Sequence, residues 1–295
     1  MTIRIGANPI GWSNDDMLEI GGETPLEQCL AEAREAGFVG MELGNKFPRD
    51  AATLRPILER YGHALVSGWY STELLVRDVE AEWQAIRPHA TLLREMDCSV
   101  LIVAETSNAI HGRRALPLSA RPVLDKADWR QWADRLSALA RRLKAEDGLD
   151  LVYHYHMGTI IEREAEIDRL MHETDDAVGL LLDTGHAVFA GADPERLARH
   201  YRARIRHIHA KDVREEVMWQ VRQEDLSFLD AVLAGVYTVP GDGLIDYPPI
   251  FRALAGYSGW VVVEAEQDPQ KADPATYARR GHADLSRFLK EGGLV

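Results

Sequence analysis

The chain has 295 residues, 34 basic and 47 acidic, for a net charge of −13 with histidine neutral, and an apolar fraction of 46%. This composition excludes a largely disordered chain. It argues against a nucleic-acid partner, which needs clustered Lys and Arg, and disfavours a strongly anionic substrate, so a neutral or metal-bound one fits better. At about 150 residues per domain the length suggests two domains, yet α/β barrels of roughly 250 residues form one. No apolar run approaches the roughly 18 residues of a membrane span. Two cysteines, Cys29 and Cys98, make no disulfide framework. With no signal pattern in Met1–Gly11, a cytoplasmic protein with reduced thiols is expected.

Short apolar strands alternate with helical patterns along the chain. Strand one is Ile3–Ala7, and the helix Thr24–Ala36 follows with Thr24 as its cap and Gly37 as its stop. Strands two to four are Val39–Leu43, Ala64–Gly68 and Val100–Ala104, with helices at 51–61 and 79–96. A loop with few periodic signals spans Thr106–Leu124, and a helix runs from Lys126 to Glu146. Strands five to eight are Leu151–His154, Val178–Leu182, Ile205–His209 and Trp260–Glu264. The helices among and after them are 162–172, one opening at Asp193-Pro194, and 274–289.

Strands alternating with helices imply a parallel sheet. Eight such units predict a closed (β/α)8 barrel spanning residues 1–295 as one domain. The alternative is an open doubly wound sheet, but the Gly-rich dinucleotide turn is missing after strand one, where Gly6-Ala7-Asn8-Pro9 stands. One long βα loop is expected at about 214–246, a length typical of lids and binding elements.

In such a barrel the chemistry gathers at the C-terminal ends of the strands. Those ends supply Asn8, Glu42, Ser67, Trp69, Tyr70, Glu105, His154, His156, Asp183, His186, His207, His209, Lys211, Glu264 and Glu266. Five of the eleven histidines fall at the ends of strands five to seven, which implies convergence on one mouth. Strand alternation puts His154 with His156, His207 with His209 and Glu264 with Glu266 on shared faces. Two imidazoles, one Asp and one Glu form a mixed N/O set suited to Mn, Co, Fe or Zn with open positions for a substrate. The candidate ligands are His209, Asp183, Glu264 and His154, with His156 competing. Lys211 is read as a mouth residue or as a surface lysine paired to Asp212. Glu105 is read as a general acid or base, or as a partner of Lys211. Trp12, Trp69 and Trp219 are candidates for stacking on a sugar-like ring, against core packing as the plainer reading. Asn14-Asp15-Asp16 reads as a loop cap. The turn Pro240–Asp246 reads as a turn with a capping Asp246 rather than a phosphate cradle, because Asp242 and Asp246 would repel an anion.

These strand ends resemble the xylose-isomerase-like TIM-barrel superfamily over the whole chain. Strand six reads Leu182-Asp183-Thr184-Gly185-His186, strand seven His209-Ala210-Lys211-Asp212, and strand eight ends Val263-Glu264. Strand five commonly ends Glu-x-His-x-Gly there, so His154 occupies the usual glutamate position. Within the superfamily the chain is similar to the myo-inosose-2 dehydratase family. That likeness is carried by the segment Asn8–Asp16 and by the runs at 153–159, 181–186, 209–213, 239–243 and 263–269. One departure is Tyr155, where the family often has a further histidine.

The resemblance implies loss of one water from 2-keto-myo-inositol (scyllo-inosose), a neutral cyclic polyol ketone of inositol catabolism, to give 3D-3,5/4-trihydroxycyclohexane-1,2-dione. A divalent metal, Mn or Co by preference with Zn or Fe as alternatives, would be held by His154, Asp183, His209 and Glu264. Glu264 would take the α-proton, and His156, Lys211 or Glu105 would protonate the departing hydroxyl. Asn8, His186, Trp12 and Glu266 would bind substrate. Glutathione is associated with the family, although no motif for it stands out. A homo-oligomer paired through the long loop is also expected. The alternatives are a keto-sugar isomerase or epimerase with the same metal, an endonuclease IV-like enzyme, which the acidic charge disfavours, and a non-catalytic sugar-binding barrel.

Overall fold

The computed structural model describes residues 3–295; Met1 and Thr2, with which the expected first strand's segment opens, lie outside them. Eight parallel strands close into a barrel: β1 (Ile3–Ala7), β2 (Gly40–Leu43), β3 (Ala64–Thr72), β4 (Val100–Glu105), β5 (Asp150–Tyr153), β6 (Gly179–Asp183), β7 (Ile205–Ala210) and β10 (Gly259–Val263). Two short strands, β8 (Asp212–Val213) and β9 (Tyr237–Thr238), pair antiparallel outside the barrel. β1 closes the ring by pairing with β10, Ala7 opposite Val263. The open doubly wound alternative is thereby excluded.

The helices start and stop where local chemistry dictates. Asp50, Asp78, Asp125 and Asp273 each accept a backbone N–H in the first turn of the helix they precede, offsetting an otherwise orphaned donor. Gly37, Gly62 and Gly148 end their helices in the left-handed conformation that glycine adopts without strain. The first helix departs from expectation. It spans Leu26–Ala36 with Pro25 at the cap position and no side-chain cap, so Thr24 lies one residue outside. Strand three, expected to end at Gly68, runs on to Thr72 as β3.

Adjacent residues on the strands sort into separate apolar clusters, and this sorting sets what faces the barrel axis. Leu101, Val103, Leu151 and Leu182 pack with the helices. Val100, Ile102, Val152 and Leu181 form their own cluster inside the barrel with Trp69, and Val66, Trp260 and Val262 form another. The floor is tight: a Cβ on Gly40 would come within 2.5 Å of the Trp260 ring, so only glycine fits there. Two residues on from Val152, Leu181 and Val262, with the same parity, stand His154, Asp183 and Glu264. The apolar plug therefore sets the depth at which the polar residues begin.

The segment 214–246 is built rather than loose. It contains helices Glu215–Glu224 and Phe228–Ala234 and the strand β9. Arg214 ties it together by donating to the carbonyls of Gly235 and Tyr237 and to Asp242. Gly241 takes a positive φ of 86° in the turn before the helix Tyr247–Ala253. Asp246 holds the cap position of that helix, but its side chain makes no capping bond. Asp242 of the same turn pairs with Arg214 and Arg280. No described helix is long and apolar enough to cross a membrane.

Candidate active site

A cavity of about 140 Å³ opens at the C-terminal mouth of the barrel. His154, His209 and Glu264 line it, with Asp183 buried at its base. Each of the four offers one ligand atom, and these atoms lie within 4.8 Å of one another. His154 Nε2 is 3.1 Å from Asp183 Oδ2, and His209 Nδ1 is 3.5 Å from that same oxygen. His209 Nδ1 and Glu264 Oε2 approach to 2.5 Å. Yet among the described residues neither atom finds a hydrogen-bond partner, although both are buried. Buried polar atoms left in this state are costly unless something else satisfies them. Two imidazoles and two carboxylates around one point, with orphaned lone pairs, fit a divalent cation.

A second layer holds the first. Glu42, at the end of β2, accepts from Ser67 Oγ (2.6 Å), His207 Nε2 (2.8 Å), His209 Nε2 (3.1 Å) and Asn8 Nδ2 (2.7 Å). Tyr155 points away from the cavity, accepting from the Asp183 N–H and donating to the Asp183 carbonyl. It fixes the backbone of a candidate ligand from behind. Lys211 is fully buried and donates to Glu266 Oε1 at 2.7 Å, with Glu264 Oε2 at 3.5 Å and Asp183 Oδ2 at 3.7 Å. It also reaches His186 Nε2 at 3.0 Å, and the other ring nitrogen of His186 bonds the Tyr237 hydroxyl at 2.9 Å.

The electrostatics follow from this packing. Burial pushes the Asp183 carboxyl up, but Lys211 and His186, with the His154 and His209 rings beside it, outweigh it and hold it well below the usual range. Burial likewise opposes the charge on Glu42, and His209 and His207 overcome it. Burial would lower Lys211, but Asp183, Glu264 and Glu266 keep it a cation, above its ordinary value. His156 is pushed well down, first by burial and then by the neighbouring His186. Its Nδ1 bonds the Met157 carbonyl at 2.8 Å, which only an N–H can do, so Nε2 is left as an acceptor.

Residues 30–291 match the xylose isomerase-like TIM barrel family. The chain is 50% identical to the rhizopine catabolism protein MocC of Rhizobium meliloti, over 100% of this chain and 91% of that protein. It is also 50% identical to the inosose dehydratase of Geobacillus thermodenitrificans, over 94% of each. The chain belongs to the inosose dehydratase family of xylose isomerase-like barrels. It is thus an enzyme, a hydro-lyase. The solved structure of the IOLI protein with a bound zinc atom superposes on the dehydratase with a TM-score of 0.71 at 15% identity, covering 99% of this chain and 100% of that one. At that identity the likeness shows the fold alone.

The fold of the dehydratase brings together most of the residues singled out in its sequence. Asn8 and Glu266 line the cavity, as do His156 and Trp69. Of the two competing histidines, His154 joins Asp183, His209 and Glu264, while His156 groups with His186 and Glu266. His186 sits behind the cavity wall, its ring 4.0 Å from that of His156.

Four expectations are corrected. Glu105 does not reach the mouth: Ile102 faces inward, so Glu105 has the outward parity. It is buried against the helix Lys126–Asp147, accepting from Leu74 N (2.8 Å) and Trp132 Nε1 (3.2 Å). Trp12 does not line the cavity either. The 3-10 turn Pro9–Gly11 swings it into the wall, where its Nε1 donates to Glu32 at 2.7 Å. Lys211 pairs with neither Asp212 nor Glu105; Asp212 instead accepts the backbone N–H groups of Val213, Gly241 and Ile245. Trp219 is half exposed on an outer helix, away from the cavity.

Several residues that line the cavity carry no signal in the sequence. Asn14 does cap its loop, accepting from the N–H groups of Asp16 and Met17, but Asp15 and Asp16 beside it line the cavity. His111 also lines it, from the irregular loop after β4. Phe228, from the 214–246 segment, packs 4.8 Å from the His156 ring. No periodic signal marks these loop residues.

Proposed function

We propose that the enzyme removes one water from 2-keto-myo-inositol to give 3D-3,5/4-trihydroxycyclohexane-1,2-dione, using a divalent ion held by His154, Asp183, His209 and Glu264. The observation that carries this reading is the orphaned pair His209 Nδ1 and Glu264 Oε2, buried at the cavity floor beside two further donors. The names of the dehydratase relatives support the substrate. The bound zinc of the IOLI protein supports a metal in this fold, and the mixed N/O donor set suits Mn or Co as well as Zn or Fe. When bound, such an ion supplies Lewis acidity toward a carbonyl oxygen.

The residues divide the remaining work. Glu264 takes the proton beside the ketone. The proton for the departing β-hydroxyl comes along Lys211 and Glu266. Lys211 lies behind the wall, 2.7 Å from Glu266 Oε1, and Glu266 lines the cavity. His156, its Nδ1–H spent on Met157, offers Nε2 as an acceptor for a substrate hydroxyl. Asn8, Asp15 and Asp16 at the rim supply further groups for a polyol. The carboxylates around the cavity favour a neutral substrate over a phosphorylated one.

The test is to strip the protein with a chelator, restore Mn or Co, and follow the enolised dione by its ultraviolet absorbance. Metal-dependent appearance of the dione is the expected result. Entry of solvent deuterium into the substrate without dione would replace the dehydratase with a keto-sugar isomerase or epimerase. Neither signal with any metal would refute the reaction.

A further inference from the structure

The hydrogen bonds of Glu42 have a consequence for the candidate metal ligands. Three donors converge on one carboxylate oxygen: Ser67 Oγ, His207 Nε2 and His209 Nε2 all bond Oε1, at 2.6, 2.8 and 3.1 Å. The second oxygen takes the Asn8 amide at 2.7 Å. Glu42 is 2% exposed, and both histidines are similarly buried.

An ionised carboxylate only accepts hydrogen bonds. Both rings must then present Nε2–H to Glu42. For His209 this leaves Nδ1 as the nitrogen that faces Asp183 and Glu264, where it is the orphaned atom. We infer that Glu42 is a positioning residue. It takes the Nε2–H of His209 and so turns Nδ1 toward the candidate metal cluster.

Glu42 is not one of the four residues of the candidate cluster, although it lines the cavity and groups with His207 and His209. It lies on β2, across the barrel from β7, 167 residues from His209 in sequence. Carboxylates behind ligating imidazoles raise the basicity of the ring and fix its orientation, and their loss costs 10- to 100-fold in metal affinity. Asn8 is tied to the same carboxylate, and its Oδ1 accepts from the Ile10 N–H at 2.9 Å. Its amide is thus held at the mouth by the group that holds His209. Glu42 couples a cavity-lining amide to a candidate ligand.

The inference rests on the metal reading above, and the experiment separates the two. The wild-type protein, freed of metal and labelled with ¹⁵N-histidine, is examined by NMR for ring N–H protons. A His207→Gln variant assigns the pair. Two slowly exchanging, downfield Nε2–H protons, from His207 and His209, are expected, both moving upfield in Glu42→Gln. A His209 proton on Nδ1 instead, or no change in the variant, would overturn the role. Co²⁺ affinity is then measured by competition with a chromophoric chelator, without substrate. A 10- to 100-fold loss in Glu42→Gln is expected. Affinity within twofold of wild type would overturn the inference, as would a second bound equivalent of Co²⁺ that the variant loses, since Glu42 would then be a ligand. Wild-type protein that binds no Co²⁺ would refute the metal reading, while the ring protons still decide what Glu42 does. Should Glu42→Gln fail to fold, the wild-type ring protons and the smaller Ser67→Ala change, which removes one donor to Oε1, give the same readout.

Discussion

Replacing Lys211 by methionine removes a buried cation from among Asp183, Glu264 and Glu266 and keeps most of the side-chain volume. The ammonium lies 2.7 Å from Glu266 Oε1 and has no exposed surface. If the proton for the departing hydroxyl travels through this pair, dione formation falls about 10²- to 10⁴-fold, the range for loss of one acid–base group. In free-energy terms that is about 3–5 kcal/mol at 1.36 kcal/mol per decade. Removal of the α-proton, assigned to Glu264, is retained, so solvent deuterium still enters the substrate. The assay runs both readouts on one sample: ultraviolet absorbance for the dione and mass spectrometry of recovered substrate. Breaking a buried pair also costs about 3–5 kcal/mol of stability. Glu266→Gln, which keeps a neutral acceptor for Lys211, therefore accompanies it and is expected to show the same split. Dione formation within threefold of wild type, or equal loss of dione and deuterium exchange in both variants, would refute this division of labour.

Other predictions follow from the same geometry. His154→Glu would put a carboxylate where His154 Nε2 now stands, 3.1 Å from Asp183 Oδ2. Dehydration is expected to fall about 100-fold or more while α-proton exchange persists; a normal rate of dione formation would sink the idea that histidine here suits elimination. Glu105→Ala leaves the Leu74 N–H and the Trp132 indole N–H without their buried acceptor. It should cost about 3 kcal/mol in urea unfolding and leave kcat unchanged; lost activity at full stability would return Glu105 to the chemistry. Burial holds His89 down to about 4, against the pull of its bond to the Gly68 carbonyl. The unfolded ring titrates near 6.5, so between those values the unfolded chain binds more protons. Stability is then complete above about pH 6.5 and falls by about 3 kcal/mol as pH drops to 4. His89→Gln should flatten that part of a urea-midpoint profile, and an unchanged slope would contradict the assignment.

The barrel was legible because strand bodies of Val, Ile and Leu end in polar groups eight times over. The candidate cluster was legible for the same reason, since His154, Asp183, His209 and Glu264 all stand at such ends. Glu105 misled because it too closes an apolar run; alternation on β4, counted from an inward Ile102, would have turned it outward. Trp12 misled because the turn at Pro9–Gly11 interrupts the strand's periodicity before the ring is placed. Glu42 stood at a strand end in plain view. Its function depends on His207 and His209, 165 and 167 residues away, and no local pattern encodes that meeting. Asp15, Asp16 and His111 sit in irregular loops, where side-chain direction follows from tertiary packing alone.

The file of His207 and His209 on β7, continued by Lys211 just past its end, also constrains how this enzyme can change over evolutionary time. The three share one parity, and between them they meet Glu42, the candidate metal cluster and Glu266. Inserting or deleting one residue ahead of His207 would slip the register and turn all three toward the outer helices at once. New activities on this scaffold should therefore arise by exchanging side chains at fixed addresses, as with histidine for glutamate at 154. Changes in length belong to the segments beyond the strand ends, such as 214–246.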